Sequence, residues 1–137
     1  MFFDRGLKVN RLHTVIICDD EEDISNLYAA MLSPDYKTVK ASSGKEFIQK
    51  YLEIKRKVKQ NQTIIVLMDY KLSDTTGDVL ARQIKDVNFV KVILISAFDI
   101  DPGFTSRLKK EKIISEFLCK PFKIATLKEI ISKSLST

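Results

Sequence analysis

Thr63-Ile64-Ile65-Val66-Leu67-Met68 is a near-continuous apolar run that stops on a single acid, Asp69. A run of this length, rich in isoleucine and valine and bounded by polar segments, reads as a strand buried on both faces. That is the pattern of a parallel sheet covered by helices on either side. Three other runs end in the same manner: Val15-Ile16-Ile17-Cys18 on the pair Asp19-Asp20, Val92-Ile93-Leu94-Ile95 on Ser96, and Phe117-Leu118-Cys119 on Lys120. Ligands of open parallel sheets collect at the carboxyl ends of the strands. Three acids, a hydroxyl and an ammonium are thereby directed toward one place.

The segments between these runs are amphipathic. Ile24, Leu27, Tyr28, Met31 and Leu32 recur at helical spacing behind Glu21-Glu22-Asp23, acids that suit the positive end of a helix, and Ser33-Pro34 ends that helix. Tyr36 to Ala41 is short and alternates polar with apolar, as an edge strand does. A second helix is expected from Ser43 or Gly44, burying Phe47, Ile48, Tyr51 and Leu52, with Ile54 and Val58 further along. The loop Lys71 to Thr76 leads past Gly77 into a helix marked by Val79, Leu80, Ile84 and Val87. Asp101-Pro102 supplies an N-cap acid followed by proline at the first helical position, opening a helix that Gly103 weakens and that turns Phe104 and Leu108 inward. Leu127, Ile130, Ile131 and Leu135 mark the last helix.

Five strand-helix units joined by right-handed crossovers give an α/β fold. The expected architecture is a doubly wound five-stranded parallel sheet of flavodoxin-like order 2-1-3-4-5, with helices on both faces. Strands one and three are then neighbours, and Asp19, Asp20 and Asp69 share the crevice at the switch point.

A chain of 137 residues buries about two-thirds of its unfolded surface, enough for a core without metal or disulfide. The two cysteines, Cys18 and Cys119, fall in predicted strands that are not neighbours, and read as buried small hydrophobes of a reducing compartment. Met1-Phe2-Phe3-Asp4-Arg5-Gly6 lacks the apolar core of a secretion signal, and no stretch approaches the ~20 apolar residues of a membrane span, so a cytoplasmic protein is expected. His13, the only histidine, has no second histidine or cysteine nearby; it reads as a surface residue, and no zinc site is expected. The net charge of +5, from 23 basic and 18 acidic residues, is a mild excess that favours acidic partners without indicating nucleic acid.

Carboxylates brought within a few ångströms repel one another, and one of them would keep its proton. A divalent cation removes the conflict. Magnesium in particular takes carboxylate ligands and retains waters that a phosphate oxygen can displace. Lys120 adds a fixed positive charge and Ser96 a hydroxyl donor, which together make a socket for a phosphoryl group. An aspartate is an adequate nucleophile for phosphoryl transfer. Asp69, at the end of the most apolar central strand, is the better acceptor, whereas Asp19 and Asp20 sit where a helix starts and are better placed to hold the metal. Asp19 to Asp23 would also suit a plain helix cap, a reading that the other strand ends outweigh.

At this point the chain resembles the receiver domain of two-component response regulators. The resemblance rests on Asp19-Asp20, Asp69 with Gly77 eight positions on, Ser96-Ala97, Phe117 and Lys120-Pro121-Phe122, and runs from about Leu12 to Leu135. It implies a short leader over residues 1–11 and a receiver domain over residues 12–137. It further implies phosphorylation on Asp69, and Mg2+ bound by Asp20 and Asp69, by Asp19 through water and by the backbone carbonyl of Lys71. Ser96 and Lys120 would hold the phosphoryl oxygens. Phe117 would change position when Ser96 moves toward the phosphate. Lys71 and Phe98, each two positions beyond a site residue, would influence the lifetime of the phosphate. Ser73 stands where the family often has proline.

The resemblance implies a stand-alone switch that is not an enzyme beyond weak self-phosphorylation and self-dephosphorylation. A histidine kinase or histidine phosphotransfer protein would supply the phosphoryl group. The output would be a changed surface around the fourth helix, fifth strand and fifth helix, offered to a downstream protein target with no direct nucleic acid contact and no membrane insertion; a phosphorylation-linked dimer is a further expectation. Arg107, Lys109, Lys110, Lys112, Lys123, Lys128 and Lys133 cluster there and favour an acidic partner. Two alternatives stand beside this reading. One is the receiver fragment of a longer DNA-binding regulator. The other is an aspartate-nucleophile phosphatase of the haloacid dehalogenase type, against which Lys71 argues by occupying the place of that family's second aspartate.

Overall fold

The computed structural model describes residues 13–85, 88–97 and 100–136. The elements alternate along the chain as β1 (Thr14–Cys18), α1 (Glu22–Leu32), β2 (Lys37–Ala41), α2 (Gly44–Lys57), β3 (Ile64–Asp69), α3 (Gly77–Gln83), β4 (Val90–Ser96), α4 (Pro102–Lys110), β5 (Glu116–Cys119) and α5 (Ile124–Leu135). The five strands form one parallel sheet in the order β2-β1-β3-β4-β5, the doubly wound arrangement expected from the apolar runs.

Alternation along each strand divides the core into two layers. Ile16, Cys18, Val66, Met68 and Leu94 face one side, where Phe47 and Tyr51 of α2, Leu80 and Ala81 of α3 and Leu108 of α4 cover them. Val15, Ile17, Leu67, Ile93 and Ile95 face the other, against Tyr28 and Leu32 of α1 and Leu127 and Ile131 of α5. Burial of each large side chain contributes about 1.5–3 kcal/mol, and both layers close over backbone that the ladder has already hydrogen-bonded.

The register is what brings the strand ends level. Cys18 pairs with Met68, Asp69 with Ile95, and Ser96 with Cys119, so the residues after β1, β3, β4 and β5 emerge along one edge.

Several helical positions differ from the sequence reading. Leu27 and Met31 of α1, Leu52 of α2 and Val79 of α3 are exposed, Leu52 to 52 %. In α1 the buried line runs through Tyr28 and Leu32, with Ile24 packed alongside. In α2 it runs through Phe47 and Tyr51, with Ile48 and Ile54 packed against that layer. Residues one step of about 100° beyond such lines turn to solvent. Cys18 is buried but Cys119 is exposed, a correction that follows from its place at the open end of a four-residue edge strand. His13 is half-buried: its Nδ1 accepts a hydrogen bond from the Thr63 N–H at 3.0 Å. Val87, expected to extend the third helix, and the leader over residues 1–11 lie outside the described residues. Among the described residues no helix is long and apolar enough to cross a membrane.

Candidate functional site

The acids are delivered by two adjacent strands. Asp19 follows β1 directly and is 3 % exposed. Its Oδ1 accepts the Glu21 N–H at 2.9 Å, which fixes the carboxylate at the entrance to α1. Asp20, the next residue, is exposed. Asp69 ends β3, with a side chain 12 % exposed. Oxygen atoms of all three carboxylates lie within 4.8 Å of one another.

Lys120 reaches this cluster from the far edge of the sheet. Its Nζ lies 3.5 Å from Asp19 Oδ2 and 3.9 Å from Asp69 Oδ1, and the side chain is 20 % exposed. The Lys120 N–H donates to the Ser96 carbonyl at 2.8 Å, tying the end of β5 to that of β4. The peptide bond from Lys120 to Pro121 is cis. Ser96 is 1 % exposed and, with Asp20, Asp69, Lys71 and Lys120, lines a cavity of about 540 Å³.

Burial and the neighbouring Asp19 carboxylate push the Asp69 carboxyl up from its ordinary value of 3.8 to about 6; Lys120 offsets part of this, and Asp20 and Glu21 add to it. The surplus of negative charge therefore remains after the lysine has made its contribution. Magnesium takes oxygen ligands at about 2.0–2.1 Å, so adjacent ligand oxygens are about 3 Å apart and opposite ones about 4 Å. Carboxylate oxygens already within 4.8 Å of one another approach this spacing, and the donor set is all hard oxygen. The residues present fit a divalent cation.

The loop that follows Asp69 is folded on itself. Lys71 pairs with Thr76 as an isolated antiparallel bridge. The Leu72 N–H donates to the Thr75 carbonyl at 3.1 Å, and the Gly77 N–H to the Tyr70 carbonyl at 2.7 Å. Gly77 sits where a side chain is crowded: a Cβ there would lie 2.6 Å from the Asp69 carbonyl oxygen and 2.8 Å from Met68 Cγ. Lys71 is exposed at the cavity rim. Phe117, half-buried on β5, packs against the layer that holds α2, α3 and α4. Phe98 lies outside the described residues.

Asp74 escaped the sequence reading. Its Oδ1 accepts the Gly44 N–H at 2.9 Å and its Oδ2 the Lys45 N–H at 3.0 Å, joining the tip of the loop after Asp69 to the first turn of α2. These two bonds hold its carboxyl below the ordinary carboxylate range. An acid in a loop carries no local signal for a helix thirty positions away. Likewise unsignalled is the stacking of Tyr28 on Phe122, with ring centroids 5.9 Å apart, which connects α1 to the turn after Lys120.

A family model described as the response regulator receiver domain matches residues 15–132. The chain belongs to that family. Receiver domains are signalling modules of two-component systems, and magnesium and phosphorylation are typical of them. Among solved structures, the CheY-like receiver domain protein of Methanospirillum hungatei JF-1 is 20 % identical, with a TM-score of 0.74 over 90 % of this chain and 94 % of that one. A receiver domain protein of Clostridium thermocellum is 21 % identical, with a TM-score of 0.74 over 90 % and 94 %. The response regulator TrrA of Thermotoga maritima, solved in complex with Mg2+ and BeF, is 24 % identical, with a TM-score of 0.69 over 88 % and 97 %. At these identities the likeness is one of fold. None of the curated proteins compared matches the chain.

Proposed function

We propose that this receiver domain is a magnesium-dependent switch phosphorylated on Asp69. The observation that carries this reading is the convergence of Asp19, Asp20 and Asp69 within 4.8 Å, with Lys120 against two of them and Ser96 on the same cavity wall. Asp20, Asp69 and the Lys71 carbonyl would hold Mg2+ directly, and Asp19 through water. When bound there, the cation would offset the charge of the acids and of the phosphoryl oxygens.

The chain's own residues then have separable tasks. An Asp69 oxygen attacks phosphorus while the bond from phosphorus to the donor's imidazole nitrogen breaks; the donor ring, protonated on its other nitrogen, leaves as neutral imidazole, and Asp69 carries an acyl phosphate. Lys120 moves from carboxylate to phosphoryl oxygen over a short distance, because it already lies between Asp19 and Asp69. The Ser96 hydroxyl donates to another phosphoryl oxygen, and Phe117 follows Ser96 inward. Such preorganised charge is the main contribution a protein makes to a loose phosphoryl-transfer transition state. Lys71 and Phe98 are assigned to tuning the lifetime of the phosphate.

The donor would be a histidine kinase or phosphotransfer protein, acting on a cytoplasmic domain of residues 12–137 behind a leader of residues 1–11. The output face would be α4, β5 and α5. Arg107, Lys109, Lys110, Lys112, Lys123, Lys128 and Lys133 are all exposed there, which supports an acidic protein target. A phosphorylation-linked dimer through this face would bring two basic surfaces together, so the charge favours an unlike partner over a second copy.

Incubation with acetyl phosphate or phosphoramidate and Mg2+, read by intact-mass spectrometry, tests the assignment. One phosphate should be added to the wild type and none to Asp69→Asn. Undiminished labelling of that variant rejects Asp69 as the acceptor.

A further inference from the structure

The loop from Lys71 to Thr76 carries the main chain that the proposed function places at the metal, yet it contains no proline and its tip residues Ser73 and Asp74 are exposed. Its internal bonds, from Leu72 to Thr75 and from Gly77 to Tyr70, close the loop without anchoring its tip. The anchor comes from Asp74, whose two oxygens accept the Gly44 and Lys45 N–H groups. Gly44 is shaped for this approach: a Cβ at that position would lie 2.7 Å from Thr75 Cγ2 and 3.2 Å from Asp74 Oδ1. Asp74 is not the N-cap residue of the helix. Ser43 fills that role, its Oγ accepting the Glu46 N–H at 3.1 Å, while Asp74 reaches the two preceding amides from another loop.

We infer that Asp74 is a positioning residue, whose carboxylate clamps the loop after Asp69 to the first turn of α2 and thereby fixes the Lys71 main chain at the rim of the acid cavity. The inference rests on the proposed magnesium site and extends it to a residue that lies outside the ligand set. Coupling of this kind is reciprocal. If the clamp favours the metal-binding form of the loop, metal binding tightens the clamp, and the start of α2 senses whether the acid cavity is filled.

The test combines calorimetric Mg2+ titration with hydrogen exchange at single amides in wild type, Asp74→Ala, Asp74→Asn, Gly44→Ala and Ser43→Ala. Without metal, Asp74→Ala should accelerate exchange at the Leu72 and Gly77 amides, and it should weaken Mg2+ binding roughly tenfold, the low end of the loss seen when partners that orient metal ligands are removed. Asp74→Asn, which keeps one acceptor oxygen, should fall between Asp74→Ala and wild type. Gly44→Ala should weaken Mg2+ binding even though alanine is the better helix former. Ser43→Ala should lower the melting temperature and leave Mg2+ affinity unchanged. In the wild type, Mg2+ should slow exchange at the Gly44 and Lys45 amides. Unchanged exchange at Leu72 and Gly77 in Asp74→Ala overturns the clamp, and so does a Ser43→Ala variant that loses as much Mg2+ affinity as Asp74→Ala. A wild type that binds no Mg2+ refutes the proposed metal site instead, while the exchange measurements still decide on the clamp.

Discussion

Replacing Asp69 by asparagine should stabilise the metal-free protein at neutral and alkaline pH. In the folded chain the Asp69 carboxyl titrates at about 6, against an ordinary value of 3.8, because burial and the Asp19 carboxylate oppose its charge. The folded state therefore holds a proton more tightly than the unfolded state. Stability contributed by that proton is full below about pH 4 and is lost as pH rises through about 6. At about 1.4 kcal/mol per pH unit, the displacement corresponds to about 3 kcal/mol. With the side chain only 12 % exposed, solvent screening removes little of it. Asparagine keeps the size of the side chain and removes the charge, so its advantage should be about 3 kcal/mol at pH 8, about half of that at pH 5 and smaller still at pH 4. The assay is urea denaturation in chelator, followed by far-ultraviolet circular dichroism because the chain has no tryptophan. Adding Mg2+ should stabilise the wild type by mass action and narrow the difference at pH 8. An advantage of equal size at pH 5 and pH 8, or an asparagine variant less stable than wild type at pH 8, would refute the claim that burial and the Asp19 carboxylate oppose the charge of Asp69.

Three further outcomes follow from the geometry. Lys120→Ala should retain Mg2+ binding measured by calorimetry while its spectrum or partner affinity responds weakly to acetyl phosphate; loss of the metal would mean that the lysine supports the ligand set itself. Gly77→Ala should cost about 1–3 kcal/mol in urea denaturation, since the added methyl meets the Asp69 carbonyl and the Met68 and Leu94 side chains below 3 Å; an unchanged midpoint would show that the loop gives way freely. Binding of an acidic target to the α4, β5 and α5 face should weaken as salt rises from 50 to 500 mM, and an affinity independent of salt would remove charge as its basis.

The fold was legible because both-face burial leaves an unmistakable mark: Val15 to Cys18, Ile64 to Met68 and Val92 to Ile95 are apolar at every position, and their ends could be aligned before any coordinates were known. The acid cluster followed from the same alignment, since Asp19, Asp20 and Asp69 terminate strands that the expected order makes adjacent. Helix faces were harder to read. Leu27, Met31, Leu52 and Val79 have the right chemistry for a core but sit beside the buried line, and a short amphipathic pattern does not resolve a rotation of about 100°. Cys119 looked buried because its neighbours are apolar, whereas the end of a short edge strand is open. Asp74 was invisible for a different reason: its partners, Gly44 and Lys45, are brought to it only by the packing of α3 against α2.

The position of β3 has a consequence for how the chain behaves when it is concentrated or partly unfolded. Ile64 to Met68 is entirely buried and combines β-branched residues with no charge, the composition of segments that self-associate into fibrils. Natively it is unavailable, because β1 and β4 saturate both of its flanks. The outer borders of the sheet carry the contrary chemistry: β2 places Lys37 and Lys40 at its exposed positions, and β5 is only four residues long, both of which discourage a neighbouring molecule from adding a strand. Substitutions that loosen β1 or β4 should therefore promote aggregation as well as disturb the acid cavity.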